Sequence, residues 1–221
     1  MRACLFSGGK DSTLALHKAS AEKSVELLIT MISQNDDSYM FHKADIEYTV
    51  LQAEAMGIKQ KIYLTQGEKE TELKDLEKAL VDNSVTELVT GATASEYQKS
   101  RIDRICGANG IRHIAPLWHI DPLEELEELC KSYYAIVTKV AAEGFDEAYL
   151  GARIDRNMVE KLKLLNQKYG VNMLFEGGEA ESFVLDAPMF RKRIRIKRAH
   201  KEWDGLVGMY VIDDAELVNK Q

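Results

Sequence analysis

Cysteine and proline are scarce in this sequence, with three of each among 221 residues. The cysteines, Cys4, Cys106 and Cys130, lie far apart and form no Cys-x-x-Cys pair. The sequence therefore indicates neither a disulfide framework nor a zinc site. A chain with so few cysteines fits a reducing compartment, and we expect the protein to be cytoplasmic.

Long apolar runs and an excess of positive charge are also missing. No stretch approaches the roughly 18 to 20 apolar residues that a membrane-spanning helix needs, and the N-terminus shows no targeting pattern. The formal net charge is -7, whereas neutralising phosphates requires surplus lysine and arginine. We therefore expect no membrane partner and no stable nucleic-acid binding. With 45% hydrophobic and 29% charged residues, the composition is that of an ordinary globular protein.

The first half alternates short β-rich runs with longer helical runs, which is typical of βαβ units around a parallel sheet. Strands are predicted at residues 2–6, 25–33, 61–64, 87–90 and 112–115. Helices are predicted between them, at residues 11–22, 43–56, 69–81 and 96–109. The sequence thus predicts an α/β domain over residues 1–118, with a parallel five-stranded sheet and flanking helices.

The second half does not continue the regular alternation of short strands and helices. Its pattern predicts a smaller C-terminal α+β substrate domain over residues 119–221. Helices are expected at residues 122–131 and 155–169, and a β-rich run at 134–140. An alternating run at 191–199 is expected to pair with residues 209–212 across a turn at Asp204 and Gly205. One face of that run is basic, through Arg191, Arg193, Arg195 and Lys197. A charged, guarded edge strand is the favoured interpretation of this face, ahead of a docking surface.

A glycine loop lies between the first predicted strand and the first predicted helix. Glycines at such a position turn backbone N–H groups towards an anion. The loop is not a Walker A motif, because Cys4 stands where its first glycine would be and Asp11 follows the lysine, and no GxGxxG is present. It resembles the SGGxDS PP-loop of the ATP pyrophosphatase families, which implies an adenine nucleotide alpha hydrolase-like fold and a clamp for pyrophosphate. The six residues are Ser7, Gly8, Gly9, Lys10, Asp11 and Ser12.

ATP and Mg²⁺ are the cofactors that this loop predicts. Lys10 would neutralise charge on the departing pyrophosphate, while Asp11 would hold Mg²⁺ or cap the helix. The hydroxyls of Ser7 and Ser12 would donate hydrogen bonds to phosphate. A plain glycine turn with Asp11 as the N-cap is the alternative. Adenosine is expected across the carboxyl ends of the strands, near Ser33, His42, Gly91 and Ala92.

Several acceptors are known for PP-loop enzymes, and the residues narrow the choice. Thiolation generally needs a reactive pair of cysteines, whereas the cysteines here fall in a predicted strand and two predicted helices, as buried side chains do. No glutamine-hydrolysing half accompanies a loop that begins near residue 1. We therefore expect any ammonia that is used to be free ammonia.

Four segments carry a closer resemblance: residues 39–42 (YMFH), 95–101 (SEYQKSR), 116–118 (PLW) and above all 176–188 (EGGEAESFVLDAP). Together they resemble the diphthine ammonia-ligase family, also called diphthamide synthetase, over nearly the whole chain. The resemblance implies a carbon–nitrogen ligase that amidates diphthine, a modified histidine of translation elongation factor 2, with ammonium. It also implies an acyl-adenylate intermediate, with AMP and pyrophosphate as products. The implied partners are the diphthine form of elongation factor 2 and ammonium, and a homo-oligomer is left open.

The acids of the last block are expected to surround one small concavity, with Gly177 and Gly178 bringing the backbone close. Carboxylates placed together repel one another unless a cation lies among them. Mg²⁺, ammonium and the trimethylammonium group of diphthine are the cations available in this reaction. We expect Glu179 and Glu181, then Glu176, to bind ammonium or accept its proton, although loop capping remains open for each. The four acids are Glu176, Glu179, Glu181 and Asp186.

Substrate contacts are also expected from the segment after the fourth strand. A quaternary ammonium attracts aromatic faces, so Tyr97, Trp118 and Phe183 are candidate walls of its pocket. Lys99 and Arg101 would face phosphate or the incoming protein. Core packing and a solvated helix face are the respective alternatives.

Two other functions stay open on the sequence. A PP-loop RNA-modifying ligase would use the basic strand to bind RNA, and that binding would be salt-sensitive. A non-catalytic nucleotide-binding sensor would release no pyrophosphate with any acceptor.

Overall fold

A parallel sheet organises the first half of the chain. The computed structural model describes residues 1–33, 45–66 and 69–220, and within them five strands form this sheet. They are β1 (Arg2–Leu5), β2 (Leu27–Ser33), β3 (Lys59–Thr65), β4 (Glu87–Val89) and β5 (Arg112–Ile114). The strand order is β3-β2-β1-β4-β5, so the direction of winding reverses between β1 and β4. The predicted α/β class with a five-stranded parallel sheet is confirmed.

Helices cover both faces of this sheet. They are α1 (Lys10–Glu22), α2 (Thr49–Met56), α3 (Lys69–Asp82) and α4 (Glu96–Ala108). Side chains of β2 alternate between the two apolar clusters: Leu28 packs with α1 and α2, whereas Leu27 and Ile29 pack with α3 and α4. A strand covered in this way must be apolar on both faces, which explains its continuous hydrophobic sequence.

Helix α2 starts later than the sequence predicts. Asp45 has a left-handed backbone (φ 56°), and a short 3-10 helix, Ile46–Tyr48, separates it from α2. A left-handed residue cannot continue a right-handed helix, so the prediction of one helix from residue 43 is wrong. Residues 43 and 44 lie outside the described part of the chain. The predicted end is confirmed, because Gly57 closes α2 with φ 70°.

A four-stranded antiparallel sheet forms the second half within the described residues. Its strands are β6 (Tyr134–Val140), β7 (Ala180–Asp186), β8 (Lys192–Trp203) and β9 (Gly208–Asn219), in the order β7-β6-β9-β8. Helices α5 (Pro122–Ser132) and α6 (Arg156–Tyr169) accompany it. Strand β7 is not among the elements that the sequence predicts. Its centre is buried on both faces, at Phe183 and Val184, so no alternation marks it as a strand.

The predicted hairpin is present and longer than expected, because β8 and β9 pair along most of their twelve residues each. Its cations face acids on the neighbouring strand. The Lys197 ammonium lies 2.7 Å from the Asp214 carboxylate, and Arg195 donates to Glu216 from Nε at 3.0 Å. The basic run therefore forms a charge-paired edge.

The two sheets share one apolar core. Leu14 of α1, Leu126 of α5 and Val137 of β6 are fully buried members of a single cluster. The division at residues 118 and 119 stays a prediction, since apolar packing continues across it. Among the described residues, no helix is long and apolar enough to cross a membrane.

Candidate active site

A cavity lies at the carboxyl edge of the parallel sheet, where the strand order reverses. Phe6 and Ser7 line it from the end of β1, and Thr90, Gly91 and Ala92 line it from the end of β4. Crevices at such a switch point are the usual ligand sites of open α/β sheets. The predicted nucleotide residues Gly91 and Ala92 are therefore brought beside the glycine loop.

The glycine loop forms the floor of this cavity and leads into α1. Gly8 has φ 80°, and a Cβ there would lie 2.4 Å from Gln52 Oε1, so only glycine fits. Gly9 is the N-cap of α1, with no side-chain cap among the described residues. The hydroxyl oxygens of Ser7 and Ser12 lie 3.2 Å apart. A helix start beside two hydroxyls is suited to an anion.

Strand β7 holds the loop in place from the second half of the molecule. The Val184 N–H donates to the Gly8 carbonyl at 3.0 Å, and the Ser182 hydroxyl accepts from Lys10 N at 3.1 Å. Gln52 Nε2 donates to the carbonyls of both Gly8 and Val184, at 2.9 and 2.7 Å. The loop is thus fixed by its own strand, by α2 and by β7.

Lys10 does not reach the cavity in this conformation. Its side chain is fully buried and is absent from the cavity lining that the described residues form. The ammonium binds Asp11 Oδ1, lies 3.5 Å from Glu125 Oε1 of α5, and sits 5.5 Å from the Phe175 ring centroid. The expected contact with pyrophosphate is therefore not made here, because two carboxylates on the protein side attract the ammonium. Its role towards phosphate stays a prediction.

The Lys10, Asp11 and Glu125 group is unusual because two of its three members have no exposed surface. Burial raises the pKa of Glu125, the charge of Asp11 raises it further, and Lys10 opposes both. Burial alone would lower the pKa of Lys10, but the charges of Asp11 and Glu125 outweigh burial and raise it. A protonated Glu125 beside a charged Lys10–Asp11 pair accounts for both directions.

The acid block is divided by the structure. Glu176 and Glu181 line the cavity together with Gly177 and Gly178, whereas Glu179 is not part of the lining formed by the described residues. Glu179 accepts from the Asn172 N–H at 2.5 Å. The expectation of four acids around one concavity is wrong, because β7 is an extended strand that carries its last acid far from its first.

The remaining acid, Asp186, and the two acids that line the cavity each have a partner within the protein. Asp186 lies at the far end of β7, 2.5 Å from the Lys220 ammonium. Glu181 pairs with Lys139 at 3.0 Å, and Glu176 accepts from the Thr93 hydroxyl. Within the described ranges, no group of three or more His, Cys, Asp or Glu residues is arranged to hold a metal.

The first turns of α4 contribute Gln98 and Ile102 to the cavity. These residues are four apart and therefore share a helix face. Tyr97, Lys99 and Arg101 are not part of the cavity lining that the described residues form. The Arg101 guanidinium stacks 3.5 Å from the Tyr97 ring centroid.

The predicted aromatic cage is not assembled. Phe183 is a fully buried core residue, and the Lys99 ammonium lies over the ring of Trp118, 5.1 Å from its centroid. Tyr97 is covered by Arg101. None of the three rings is part of the cavity lining that the described residues form, so they do not wall that cavity for a quaternary ammonium.

Ser33 and His42 are the two other residues that are predicted to contact the nucleotide. Ser33 ends β2 and is fully buried outside the cavity lining that the described residues form. His42 lies outside the described residues. Both stay predictions.

The cysteines agree with the interpretation that excluded thiolation. Burial raises the pKa of the Cys106 thiol to about 11, with the charge of Asp103 adding to the effect. Burial also raises the pKa of Cys4 and of Cys130. Thiols of this kind stay protonated and unreactive near neutral pH.

Several cavity residues are missed by sequence reasoning. Thr90, Gln98, Phe175 and Ser182 line the cavity, and Glu125 supports the loop from behind. Of these, Gln98 and Ser182 had a detectable signal, because they stand within the SEYQKSR and EGGEAESFVLDAP segments. Glu125 had none, since it is one of several glutamates in an acidic helix.

The parallel sheet, the glycine loop at its switch point and the cavity beside that loop define an α/β nucleotide-binding protein of the PP-loop type. The sequence also matches two family models, the diphthamide synthase N-terminal domain over residues 1–113 and the diphthamide synthase C-terminal domain over residues 121–218. The chain therefore belongs to the diphthamide synthase family.

Curated relatives agree with this assignment. The chain is 33% identical over 217 residues to a bovine protein named diphthine–ammonia ligase, covering 87% of this chain and 81% of that one. The zebrafish (Danio rerio) protein of the same name is 34% identical over 216 residues, with 87% and 84% covered. The Schizosaccharomyces pombe protein of that name is 32% identical, but only 35% of its length is matched.

One solved structure that this chain matches is described as a predicted subunit of a tRNA methyltransferase from Methanocaldococcus jannaschii. It matches with a TM-score of 0.45 and 17% identity, over 85% of this chain and 98% of that one. A likeness at this level carries no argument about activity.

Proposed function

We propose that this protein is a diphthine–ammonia ligase, which uses ATP and ammonium to convert the carboxylate of diphthine into the amide of diphthamide. The observation that carries the proposal is the meeting of two motifs at one cavity. The glycine loop and the start of the acid block both line it, although about 170 residues separate them in the chain. Family membership supports the same reaction.

The glycine loop accounts for the first step. A carboxylate oxygen of diphthine attacks the α-phosphorus of ATP, the bond from that phosphorus to the bridging oxygen breaks, and pyrophosphate leaves. The start of α1 and the hydroxyls of Ser7 and Ser12 stabilise the charge that develops on pyrophosphate. The products of this step are the acyl-adenylate and pyrophosphate.

The acid block accounts for the second step. Ammonia adds to the acyl carbon, the bond from that carbon to the AMP oxygen breaks, and one proton is released. Glu176 and Glu181 place negative charge beside the cavity, which attracts ammonium from solution. Glu179 lies outside the cavity lining of the described residues and accepts a hydrogen bond from the Asn172 N–H. We therefore propose Glu181 and Glu176, ahead of Glu179, as the acids that attract ammonium.

Mg²⁺ fits this site only in part. Mg²⁺ usually takes one or two carboxylates together with substrate phosphates. Asp11 lines the cavity, and one of its carboxylate oxygens is held by Lys10. We therefore propose Asp11 as a single protein ligand, with nucleotide phosphates supplying the others; the ion would shield phosphate charge.

Diphthine on elongation factor 2 is the proposed acceptor. RNA as an alternative acceptor relied on the basic strand, and in the described hairpin Arg195 and Lys197 are paired with acids of β9. That pairing leaves little charge for RNA phosphates, so the protein substrate is favoured.

The decisive experiment combines the protein with ATP, ammonium and elongation factor 2 that carries diphthine. Mass spectrometry should show conversion of the carboxylate to the amide, and AMP should form in equal amount. Ser12→Ala should lower AMP formation at least about tenfold, since an anion-binding hydroxyl is lost from the loop. Ser100→Ala, which removes an exposed hydroxyl of α4, is the control and should leave the rate unchanged. Formation of ADP and phosphate instead of AMP would contradict the proposal.

A further inference from the structure

A hydrogen-bonded chain of three side chains leads away from the cavity. The Thr90 hydroxyl oxygen lies 2.7 Å from His113 Nε2, and His113 Nδ1 lies 2.6 Å from Asp103 Oδ1. Thr90 follows β4, His113 is the central residue of β5, and Asp103 lies on α4. Neither His113 nor Asp103 lines the cavity formed by the described residues, whereas Thr90 does.

The direction of these hydrogen bonds follows from chemistry. A carboxylate only accepts, so His113 Nδ1 carries a hydrogen and donates it to Asp103. In the neutral ring, Nε2 then accepts from the Thr90 hydroxyl. The Thr90 hydrogen is thereby committed to His113, and the lone pairs of its oxygen remain to accept a proton or hydrogen bond.

The exposed fraction of the three hydrogen-bonded side chains increases from the cavity towards solvent. Thr90 is 5% exposed, the His113 side chain is 6% exposed, and the Asp103 side chain is 41% exposed. The histidine thus connects a buried hydroxyl at the cavity with a carboxylate in contact with water.

The groups around His113 determine the charge of Asp103. On α4, the Lys99 ammonium lies 2.6 Å from Asp103 Oδ2, and the Cys106 thiol is kept neutral by its raised pKa. Burial opposes ionisation of Asp103, but hydrogen bonds from Lys99 and His113 outweigh burial and lower its pKa. On the neighbouring strand β4, Glu87 is neutralised by Arg2 and Lys23. The net effect is an anionic Asp103 that accepts the hydrogen bond from His113 Nδ1.

We propose that Thr90, His113 and Asp103 form a relay that takes the proton released during amide formation from the cavity to solvent. This proposal rests on the proposed function. As ammonia nitrogen bonds to the acyl carbon, that nitrogen becomes positively charged and must lose a proton. The proton passes to the Thr90 oxygen while the Thr90 hydrogen passes to His113 Nε2. The resulting imidazolium passes its Nδ1 proton to Asp103, which releases it to water. A flip of the imidazole ring and a rotation of the Thr90 hydroxyl then restore the starting arrangement.

The acids that line the cavity are less suited to this task. Asp11 is bound to Lys10, Glu181 to Lys139 and Glu176 to the Thr93 hydroxyl. Each of these carboxylates is therefore already engaged by another group of the protein. The relay has in addition an exit to solvent.

Thr90→Val and Thr90→Ser form the central test, because valine has the shape of threonine without its hydroxyl. Two rates are measured separately: exchange of pyrophosphate into ATP with diphthine-bearing elongation factor 2 and no ammonium, and amide formation with ammonium. Thr90→Val should slow amide formation about 100-fold while exchange changes less than about twofold, since a general base contributes about 10² to 10⁴ in rate. Thr90→Ser should restore amide formation to within about threefold of wild type.

Two further variants separate the relay from a structural role. Asp103→Asn, at a partly exposed position, should also slow amide formation. His200→Asn removes a comparable histidine–aspartate bond on the exposed hairpin and should change neither rate.

The outcomes distinguish the two proposals. Active wild type with an unaffected Thr90→Val contradicts the relay alone, as does equal loss of exchange and amide formation in that variant. Wild-type protein that performs neither reaction contradicts the proposed function and the relay with it.

Discussion

The glycine loop and the acid block both contribute to one cavity, but they obtain their geometry in opposite ways. The loop is six consecutive residues between a strand and a helix, and its shape follows from glycine φ angles and the start of α1. The acid block runs from a 3-10 helix into β7, where its side chains diverge to separate partners. A compact motif keeps its residues together, whereas a motif along a strand distributes them over the length of that strand.

The first and largest way to test this contrast is to remove the support behind the loop. Glu125→Ala leaves the buried Lys10 ammonium with one hydrogen-bond acceptor fewer and opens a cavity behind the loop, and loss of an acceptor by a buried charged donor costs about 3 kcal/mol. We expect the free energy of unfolding to fall by that amount and AMP formation to fall with it. Chemical denaturation with urea measures the first effect.

A matched control lies one turn along α5. Lys18 of α1 pairs with Glu128 at 2.6 Å, but both side chains are about one-third exposed. Glu128→Ala should cost no more than about 1 kcal/mol, as exposed pairs do. Equal losses in Glu125→Ala and Glu128→Ala would show that burial of Lys10 does not matter to the loop.

The same contrast explains how much was predictable. The parallel sheet and the glycine loop follow from periodicity and local motif, because neighbouring residues determine them. The directions of Glu179 and Asp186 depend on the pairing of β7 with β6 and on contacts from Asn172 and Lys220, which local patterns do not contain. The pairing of Lys10 with Glu125 joins residues 115 apart in the chain.

The second prediction separates the acids of the block by their effect on the rate of amide formation. Glu181→Gln and Glu176→Gln remove negative charge from the cavity, and each should slow amide formation about 100-fold, a magnitude typical of an electrostatic or acid–base contribution. Glu179→Gln and Asp186→Asn should change that rate less than about threefold, since these acids lie outside the cavity lining of the described residues. Single-turnover assays at saturating ATP separate this step from adenylation.

The opposite result would restore the assignment made from sequence. A loss in Glu179→Gln as large as that in Glu181→Gln would mean that Glu179 leaves Asn172 and enters the cavity during the reaction. Equal exchange of pyrophosphate in all four variants is required for this interpretation.

The third prediction concerns the negative charge next to the acid block. Burial raises the pKa of Asp45 to about 6, the charges of Glu47 and Glu181 add to this, and the hydrogen bond from the Ile212 N–H opposes it. Because the folded protein holds the Asp45 proton more tightly than the unfolded chain, unfolding releases a proton between about pH 4 and pH 6. The contribution of Asp45 to the free energy of unfolding should therefore fall as pH rises through this window and level off above it.

Asp45→Asn removes the charge while keeping an oxygen that accepts from Ile212. At pH 8 the variant should be more stable than the wild type by about 2 kcal/mol, because it avoids a buried charge. Below about pH 4 the difference should vanish, since wild-type Asp45 is then neutral as well. Glu47→Gln, at an exposed position of the same turn, should shift stability by less than about 0.5 kcal/mol. An Asp45→Asn variant that is less stable than the wild type at pH 8 would show that the Asp45 charge stabilises the fold, because a cation or another donor then compensates it.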